Sequence, residues 1–301
     1  MPYNLITILG PTAVGKTRLA ALLADSFKGE IISADSRQVY KGMDIGTGKD
    51  LKEYEVNGKP ISYHLIDIIQ PSEEYNLYRF WEDFKKAYSE ISGRKKTPFL
   101  VGGTGLYLSS ILQNYNLPKV EFSGDKIRLL EKSGIEELRA KLKELNPDLH
   151  NTTDLLDKKR IINAIIVSDS PNAERPGNPE INALVLGVLL PREEIKNRIT
   201  ERLKARLQNG MIEEVEKLID SGITFEKLNF FGLEYKFIGQ FLKKEINYND
   251  MFQKLNSAIH NFAKRQMTWF RKMEKEGVKI NWIERPDFDA TKDIINAFLN
   301  K

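Results

Sequence analysis

Gly10-Pro11-Thr12-Ala13-Val14-Gly15-Lys16-Thr17 reads G-x-x-x-x-G-K-T, the spacing of a phosphate-binding loop. Its flanks place it where such a loop works. Leu5-Ile6-Thr7-Ile8-Leu9 is short, apolar and β-branched, which predicts a buried strand. Leu19, Leu22 and Leu23 recur at helical spacing after it. The loop therefore joins a strand to a helix N-terminus, where backbone N–H groups converge and the helix dipole favours an anion. Gly10, Thr12, Ala13, Val14 and Gly15 form the expected cradle. Lys16 would neutralise phosphate oxygens, and the Thr17 hydroxyl would reach Mg²⁺. The pattern leaves open whether a phosphoryl group is transferred or a diphosphate leaves.

Two further strands should bring polar loops to the same rim. Glu30–Ala34 is followed at once by Asp35-Ser36-Arg37-Gln38, and Pro98–Val101 by Gly102-Gly103-Thr104-Gly105-Leu106-Tyr107. Residues at the carboxyl ends of parallel strands face the ligand crevice, which puts Asp35 and Thr104 beside the phosphate loop. Asp35 would either hold a Mg²⁺ shell or act as a general base; the residues after it do not decide between these. The Gly-rich run Ile45–Asp50 follows no clear strand and reads as a loop. Leu77–Ile91 carries Phe80, Phe84, Ala87 and Tyr88 on one helical face, and Ala183–Leu190 reads as a buried strand. Strand, loop and helix in alternation predict an α/β fold, a parallel sheet wrapped by helices. Residues 118–180 break that pattern. Ile135, Leu138, Leu142 and Leu145 make a helix that Pro147 ends, a second spans about 155–167, and Ser168–Pro179 has loop chemistry. The expected organisation is a P-loop core of residues 1–117 and 181–301, with a helical insertion over 118–180.

Composition narrows the setting. Of the 301 residues, 41% are hydrophobic and 29% charged, a globular balance. No apolar run reaches 18 residues, and the start lacks a basic, apolar leader pattern, so a cytoplasmic protein without membrane contact is expected. With no cysteine, thiolate catalysis and thiolate metal sites are excluded. His64, His150 and His260 lack metal-ligand spacing and read as ordinary polar or core residues.

The net charge of +4 is mild, but basic residues cluster late in the chain. A helix from Pro191 to about Asn209, with Gly210 as its cap, carries Arg198 and Arg202 at i and i+4; Lys204 and Arg206 are read onto other faces. The Arg pair would clamp a diphosphate, or pair with Glu194 and Glu201 on a solvated helix. The longest predicted helix starts at Asn249-Asp250 and runs to Lys275. Lys264, Arg265, Gln266, Thr268, Trp269 and Arg271 interleave cations, aromatics and polar donors there, a pattern suited to phosphates and stacked bases, or to a basic amphipathic helix. Lys158-Lys159-Arg160 makes a second basic patch in the insertion, and the two patches together point to nucleic acid. Val278–Ile283 reads as a last strand.

Taken in order, several motifs resemble one family. The phosphate loop, Ser33-Ala34-Asp35-Ser36-Arg37-Gln38-Val39-Tyr40, His64-Leu65-Ile66-Asp67, Gly102–Tyr107 and Lys264–Arg271 together look like bacterial tRNA dimethylallyltransferase over nearly the whole chain. The resemblance implies transfer of a dimethylallyl group from dimethylallyl diphosphate to N6 of the adenosine 3′ to the anticodon, with Mg²⁺ as cofactor. It implies that the phosphate loop holds the diphosphate rather than ATP, aided by an Arg of the Arg198/Arg202 helix. Asp35 would accept the N6 proton, and Thr104 would sit at the reaction centre. Ser36, Arg37 and Gln38 would line the tRNA side. Lys159, Arg160 and Asn163, with Lys264–Arg271, would grip the anticodon stem–loop. The chain is expected to act as a monomer. A P-loop nucleoside or nucleotide kinase and a non-catalytic tRNA-binding paralogue are the alternatives.

The chain departs from the family pattern in three places. Asn163 stands where a second Arg is usual, Gly232-Leu233-Glu234-Tyr235-Lys236 replaces a G-Y-[KR] motif with two extra residues, and the insertion is short near Pro118–Lys126.

Overall fold

Leu5–Leu9 is buried at all five positions, because a central strand of a parallel sheet is covered on both faces. In the computed structural model this strand, β1, anchors the architecture; the described residues are 3–115, 117–120, 124–147, 158–170 and 177–299. The chain continues through α1 (Lys16–Ser26), β2 (Gly29–Ala34), a small hairpin of β3 (Glu55–Val56) and β4 (Lys59–Pro60), β5 (Tyr63–His64), α2 (Leu77–Gly93), β6 (Thr97–Gly102) and α3 (Gly105–Leu112). Among the described residues, α4 (Gly124–Glu131), α5 (Ile135–Leu145) and α6 (Lys158–Ser168) follow. The rest is β7 (Ala183–Val188), α7 (Arg192–Gln208), α8 (Met211–Asp220), α9 (Phe225–Phe231), α10 (Leu233–Leu242), α11 (Tyr248–Lys275), β8 (Ile280–Ile283) and α12 (Phe288–Leu299).

The main sheet is parallel, in the order β5-β2-β6-β1-β7-β8. It is the α/β class expected, a P-loop-like sheet wrapped by helices. From β1 the chain passes to β2 on one side, fills the gap with β6, then crosses to β7 on the other. The carboxyl ends of β1 and β6 therefore form the topological switch point, where open parallel sheets bind ligands. Ile6, Ile8, Ile31, Phe99, Leu184 and Leu186 pack with Leu19, Leu23 and Ala24 of α1 in the core beneath that rim.

Two helix boundaries differ from expectation. Asn209 closes α7, whereas Gly210, at φ 95°, opens α8 in the left-handed region that favours glycine. The long helix begins one residue before Asn249, because the Asn247 side chain accepts the Asp250 N–H at 2.9 Å and caps it.

The chain divides into two compact units, Met1–Tyr115 with Glu180–Lys301 and Asn116–Pro179. The second has its own apolar centre, where Leu138 and Leu142 of α5 meet Ile161, Ile162, Ile165 and Ile166 of α6. The start of the helix expected from 155, most of the expected loop after it, and His150 lie outside the described residues. Among the described residues, no helix is long and apolar enough to cross a membrane.

Candidate active site

The phosphate loop turns sharply into α1. Gly15 precedes the helix at φ 86°, and Ala13 is also left-handed at φ 66°. These two reversals aim successive backbone N–H groups inward, the geometry of an anion nest. The Lys16 ammonium closes the loop by donating to the Pro11 carbonyl at 2.7 Å. Burial, then the nearby Arg202, lower it from 10.5 to about 8, while Asp35 and Glu53 act in the opposite sense. Arg202 is held down in the same way, to about 10, by burial and by Arg206. Cations that crowd one another in a partly dry crevice are relieved by a bound polyanion.

Asp35 follows β2 directly. Its Oδ1 accepts the N–H of Arg37 at 2.8 Å and of Gln38 at 3.4 Å, an Asx turn that locks the carboxylate in place. Among the described residues, no hydrogen bond engages its Oδ2. Thr104 begins α3 on the neighbouring loop. Its N–H donates to the Ala34 carbonyl at 3.2 Å, and its hydroxyl accepts the Ser36 N–H at 3.1 Å. The loops after β2 and β6 are thereby tied together beside the loop after β1. A carboxylate oxygen, a hydroxyl and a phosphate cradle meet on one rim. That set suits a nucleophile approaching from the Asp35 side while a phosphorylated leaving group departs into the cradle.

Among the described residues, no group of three or more His, Asp or Glu is arranged to hold a metal ion. Mg²⁺ usually keeps several waters and binds through one or two protein oxygens plus substrate phosphates, so this donor set fits it. Thr17, half-buried in the first turn of α1, is the loop hydroxyl other than Thr12's, which Arg202 engages.

A family model described as IPP transferase matches residues 38–273, and one described as isopentenyl transferase matches residues 3–63. The tRNA dimethylallyltransferase 1 of Geotalea uraniireducens is 52% identical over 294 residues, spanning 97% of this chain and 96% of the relative. The chain belongs to the tRNA dimethylallyltransferase family. Two solved structures are similar along their length. The tRNA isopentenylpyrophosphate transferase of Bacillus halodurans has a TM-score of 0.71 at 31% identity, with 99% of this chain and 95% of that one covered. The tRNA delta(2)-isopentenylpyrophosphate transferase of Staphylococcus epidermidis has 0.69 at 32%, with 98% of each covered.

Within this family framework the structure redistributes several expected residues. Arg202 reaches the phosphate loop, donating from Nη2 to the Thr12 hydroxyl. Arg198, one turn earlier, is exposed and pairs with Glu194 at 2.8 Å, so the two arginines do not form one clamp. Thr12 is not a free cradle donor, because Gln266 takes its N–H at 2.8 Å. Gln266 itself is buried, with the other end of its amide donating to the Gly103 carbonyl at 2.9 Å, and does not face solvent. Trp269 is half-buried and donates its indole N–H to Ser109 at 2.7 Å. Gln38 turns inward too, accepting from Ser33 at 3.1 Å and donating to the Gly48 carbonyl at 3.1 Å. The helical period explains the split. Lys264, Arg265, Thr268 and Arg271 are exposed, while Gln266 shares the buried face with Ala263, Phe270 and Met273. Arg37 lies over the Phe230 ring at 4.8 Å. In the second unit, Lys159 and Arg160 are exposed on the first turn of α6 and Asn163 is half-buried.

Sequence reasoning missed other site residues. Arg206 shares the face of Arg202 rather than lying on another, and pairs with Asp50 at 3.1 Å; its i+4 spacing from Arg202 carried that signal. Glu214 is buried, accepting the N–H groups of Asp44 and Ile45 at 2.7 Å, of Gly46 at 3.0 Å and the Tyr235 hydroxyl at 2.7 Å. Lys49 is buried in an ion-pair cluster with Asp44 at 2.7 Å and with Asp67. Together these hold the Gly-rich 44–50 loop. The two extra residues of the Gly232–Lys236 departure, Leu233 and Glu234, form the first turn of α10. Burial pushes the Glu234 carboxyl up, against the pull of its own N–H and of Arg206 and Arg202.

Proposed function

We propose that this chain transfers the dimethylallyl group of dimethylallyl diphosphate to N6 of the adenosine 3′ to the anticodon in tRNA, releasing diphosphate. Family membership supports the reaction class. The observation that carries the reading is the Ser36–Thr104 hydrogen bond, 3.1 Å long, which sets Asp35 and Thr104 on the rim that holds the phosphate loop.

In this reading the N6 nitrogen attacks C1 of the dimethylallyl group. The C1–O bond breaks, its electron pair leaves with the diphosphate, and the N6 proton passes to Asp35 Oδ2. A neutral aromatic amine is a poor nucleophile, so positioning and a base both lower the barrier. Lys16, Arg202 and the N–H groups from Ala13 to Thr17 stabilise charge on the leaving diphosphate. Thr17 would hold Mg²⁺ together with the diphosphate oxygens, adding charge neutralisation at the leaving group. The target base must leave its stack to reach the rim, as in other base-modifying enzymes. Lys159, Arg160 and Asn163 of the insertion, residues 36–37, and the exposed Lys264, Arg265, Thr268 and Arg271 would contact the anticodon stem–loop. The enzyme is read as a cytoplasmic monomer.

The test incubates the protein with Mg²⁺, dimethylallyl diphosphate and unmodified tRNA, then weighs the digested nucleosides. A prenylated adenosine is expected from the wild type, and Asp35→Asn should lower turnover by ~10²–10⁴-fold with tRNA affinity retained. Absence of prenyladenosine, or ATP consumption in its place, overturns the reading.

A further inference from the structure

The amide of Gln266 spans the two loops on which the proposed reaction depends. It sits on α11 and is 7% exposed. Its Oε1 accepts the Thr12 N–H at 2.8 Å, and its Nε2 donates to the Gly103 carbonyl at 2.9 Å. Thr12 is held a second time, through its hydroxyl, by Arg202 of α7. Gly103 leaves room for this contact, since a Cβ there would collide with Gln266 Nε2. The next residue, Thr104, bonds to Ala34 through its N–H and to Ser36 through its hydroxyl. A continuous path of hydrogen bonds and peptide units thus runs from the phosphate loop, through Gln266, to the turn that holds Asp35.

We infer that Gln266 is a positioning residue for prenyl transfer, setting the distance between the diphosphate cradle and the Asp35–Thr104 side of the rim. The inference rests on the proposed function. An in-line displacement needs the attacking atom ~3–3.5 Å from carbon, and a misplacement of ~1 Å costs about a hundredfold in rate. The cradle fixes the leaving oxygen, and the loops after β2 and β6 fix the base. Their separation is what a rigid amide strut controls. An amide suits the position because one end must accept and the other donate. A carboxylate would keep the Thr12 contact but turn a negative oxygen towards the Gly103 carbonyl. Although Lys264, Arg265 and Thr268 surround Gln266 in sequence, its place on the buried face separates its role from tRNA contact.

Gln266→Met keeps the side-chain length and removes both hydrogen bonds; Gln266→Glu keeps one. Steady-state prenyl transfer, tRNA affinity by filter binding and inhibition by inorganic diphosphate are measured on the wild type and both variants. Gln266→Met is expected to lower kcat/KM for dimethylallyl diphosphate at least tenfold and to weaken diphosphate inhibition. The Kd for tRNA should stay within twofold, and Gln266→Glu should fall between the two in diphosphate inhibition. Unchanged kinetics, or equal losses in tRNA and diphosphate binding, would overturn the inference. As a guard against misfolding, Gly103→Ala and Gln266→Ala should each impair the same parameter, and the double variant should lose less than the product of these two single losses. Multiplicative losses would also overturn it. A wild type that makes no prenyladenosine defeats the proposed function; an active wild type with an unchanged Gln266→Met defeats the Gln266 role alone.

Discussion

The Ser36 backbone N–H donates to the Thr104 hydroxyl at 3.1 Å, across 68 positions of sequence. Thr104→Val keeps the shape of the side chain but leaves that N–H without its acceptor. Stranding a partly buried donor costs ~1–3 kcal/mol, so kcat for prenyl transfer should fall by roughly 5- to 150-fold as the Asp35 turn loosens. Thr104→Ser keeps the hydroxyl and should stay within about threefold on the same reasoning. A valine variant that turns over at the wild-type rate would show that the bond does not hold the site together.

In the proposed reaction Lys16 would link diphosphate binding to pH. Burial and Arg202 bring its ammonium down to about 8, so the charged form is present below that pH and lost above it. The KM for dimethylallyl diphosphate should be flat from pH 6 to 7.5 and then rise, approaching about tenfold per pH unit once Lys16 is neutral. Arg stays charged throughout, so Lys16→Arg should flatten the alkaline rise whatever its absolute KM. An alkaline rise that survives in Lys16→Arg would assign the titration to another group.

Glu30 connects fold stability to acid. It lies at the amino end of β2, away from Asp35, and receives Arg94 at 2.8 Å, Lys96 at 2.9 Å and His64 at 2.7 Å. Burial alone would raise its carboxyl, but these partners outweigh burial and hold it at about 2 rather than 4.5. A depressed folded-state value means that the stabilisation is complete above pH 4.5 and is lost as pH falls towards 2. Thermal unfolding should show Tm dropping over that window. Glu30→Gln should cost roughly 2–3 kcal/mol at pH 7 and flatten the drop, with kcat at 25 °C unchanged. An identical acid profile in the variant would remove Glu30 from the account.

The exposed face of α11 is open to a salt test. Lys264→Ala with Arg271→Ala removes two solvent-facing cations and leaves Gln266 in place. The affinity for tRNA should fall, and the slope of log K against log salt should shrink by about 1.5, the counterion count for two phosphates. Unchanged affinity would take this face off the tRNA.

Much of the candidate site was legible because its signals are local. Leu5–Leu9, the loop Gly10–Thr17 and the leucines of α1 are contiguous, and each obeys a short-range rule. Asp35 and Thr104 could be put on one rim because parallel strands send their carboxyl ends the same way. The Lys264–Arg271 segment shows where contiguity misleads. Taken as a string it suggests one tRNA-binding strip, yet helical phase divides it into an exposed basic face and a buried face carrying Gln266. The buried neighbours Ala263, Phe270 and Met273 held that information. Glu214 had no comparable signal. Its amide partners, Asp44, Ile45 and Gly46, are 168 to 170 positions away, and nothing local to Glu214 marks it as their acceptor.

The sequence by itself determined the α/β class, the phosphate loop at a strand–helix junction and the family. Each of these rests on hydrophobic period or on motifs read along the chain. The tertiary structure decided which side chains serve one another across it. It made Arg202 rather than Arg198 the arginine at the loop, put Arg206 on Asp50, and used Gln266 to join Thr12 to Gly103. Hydrogen bonds depend on distances of about 3 Å between particular atoms. Sheet order and helix packing set those distances only once the chain has folded.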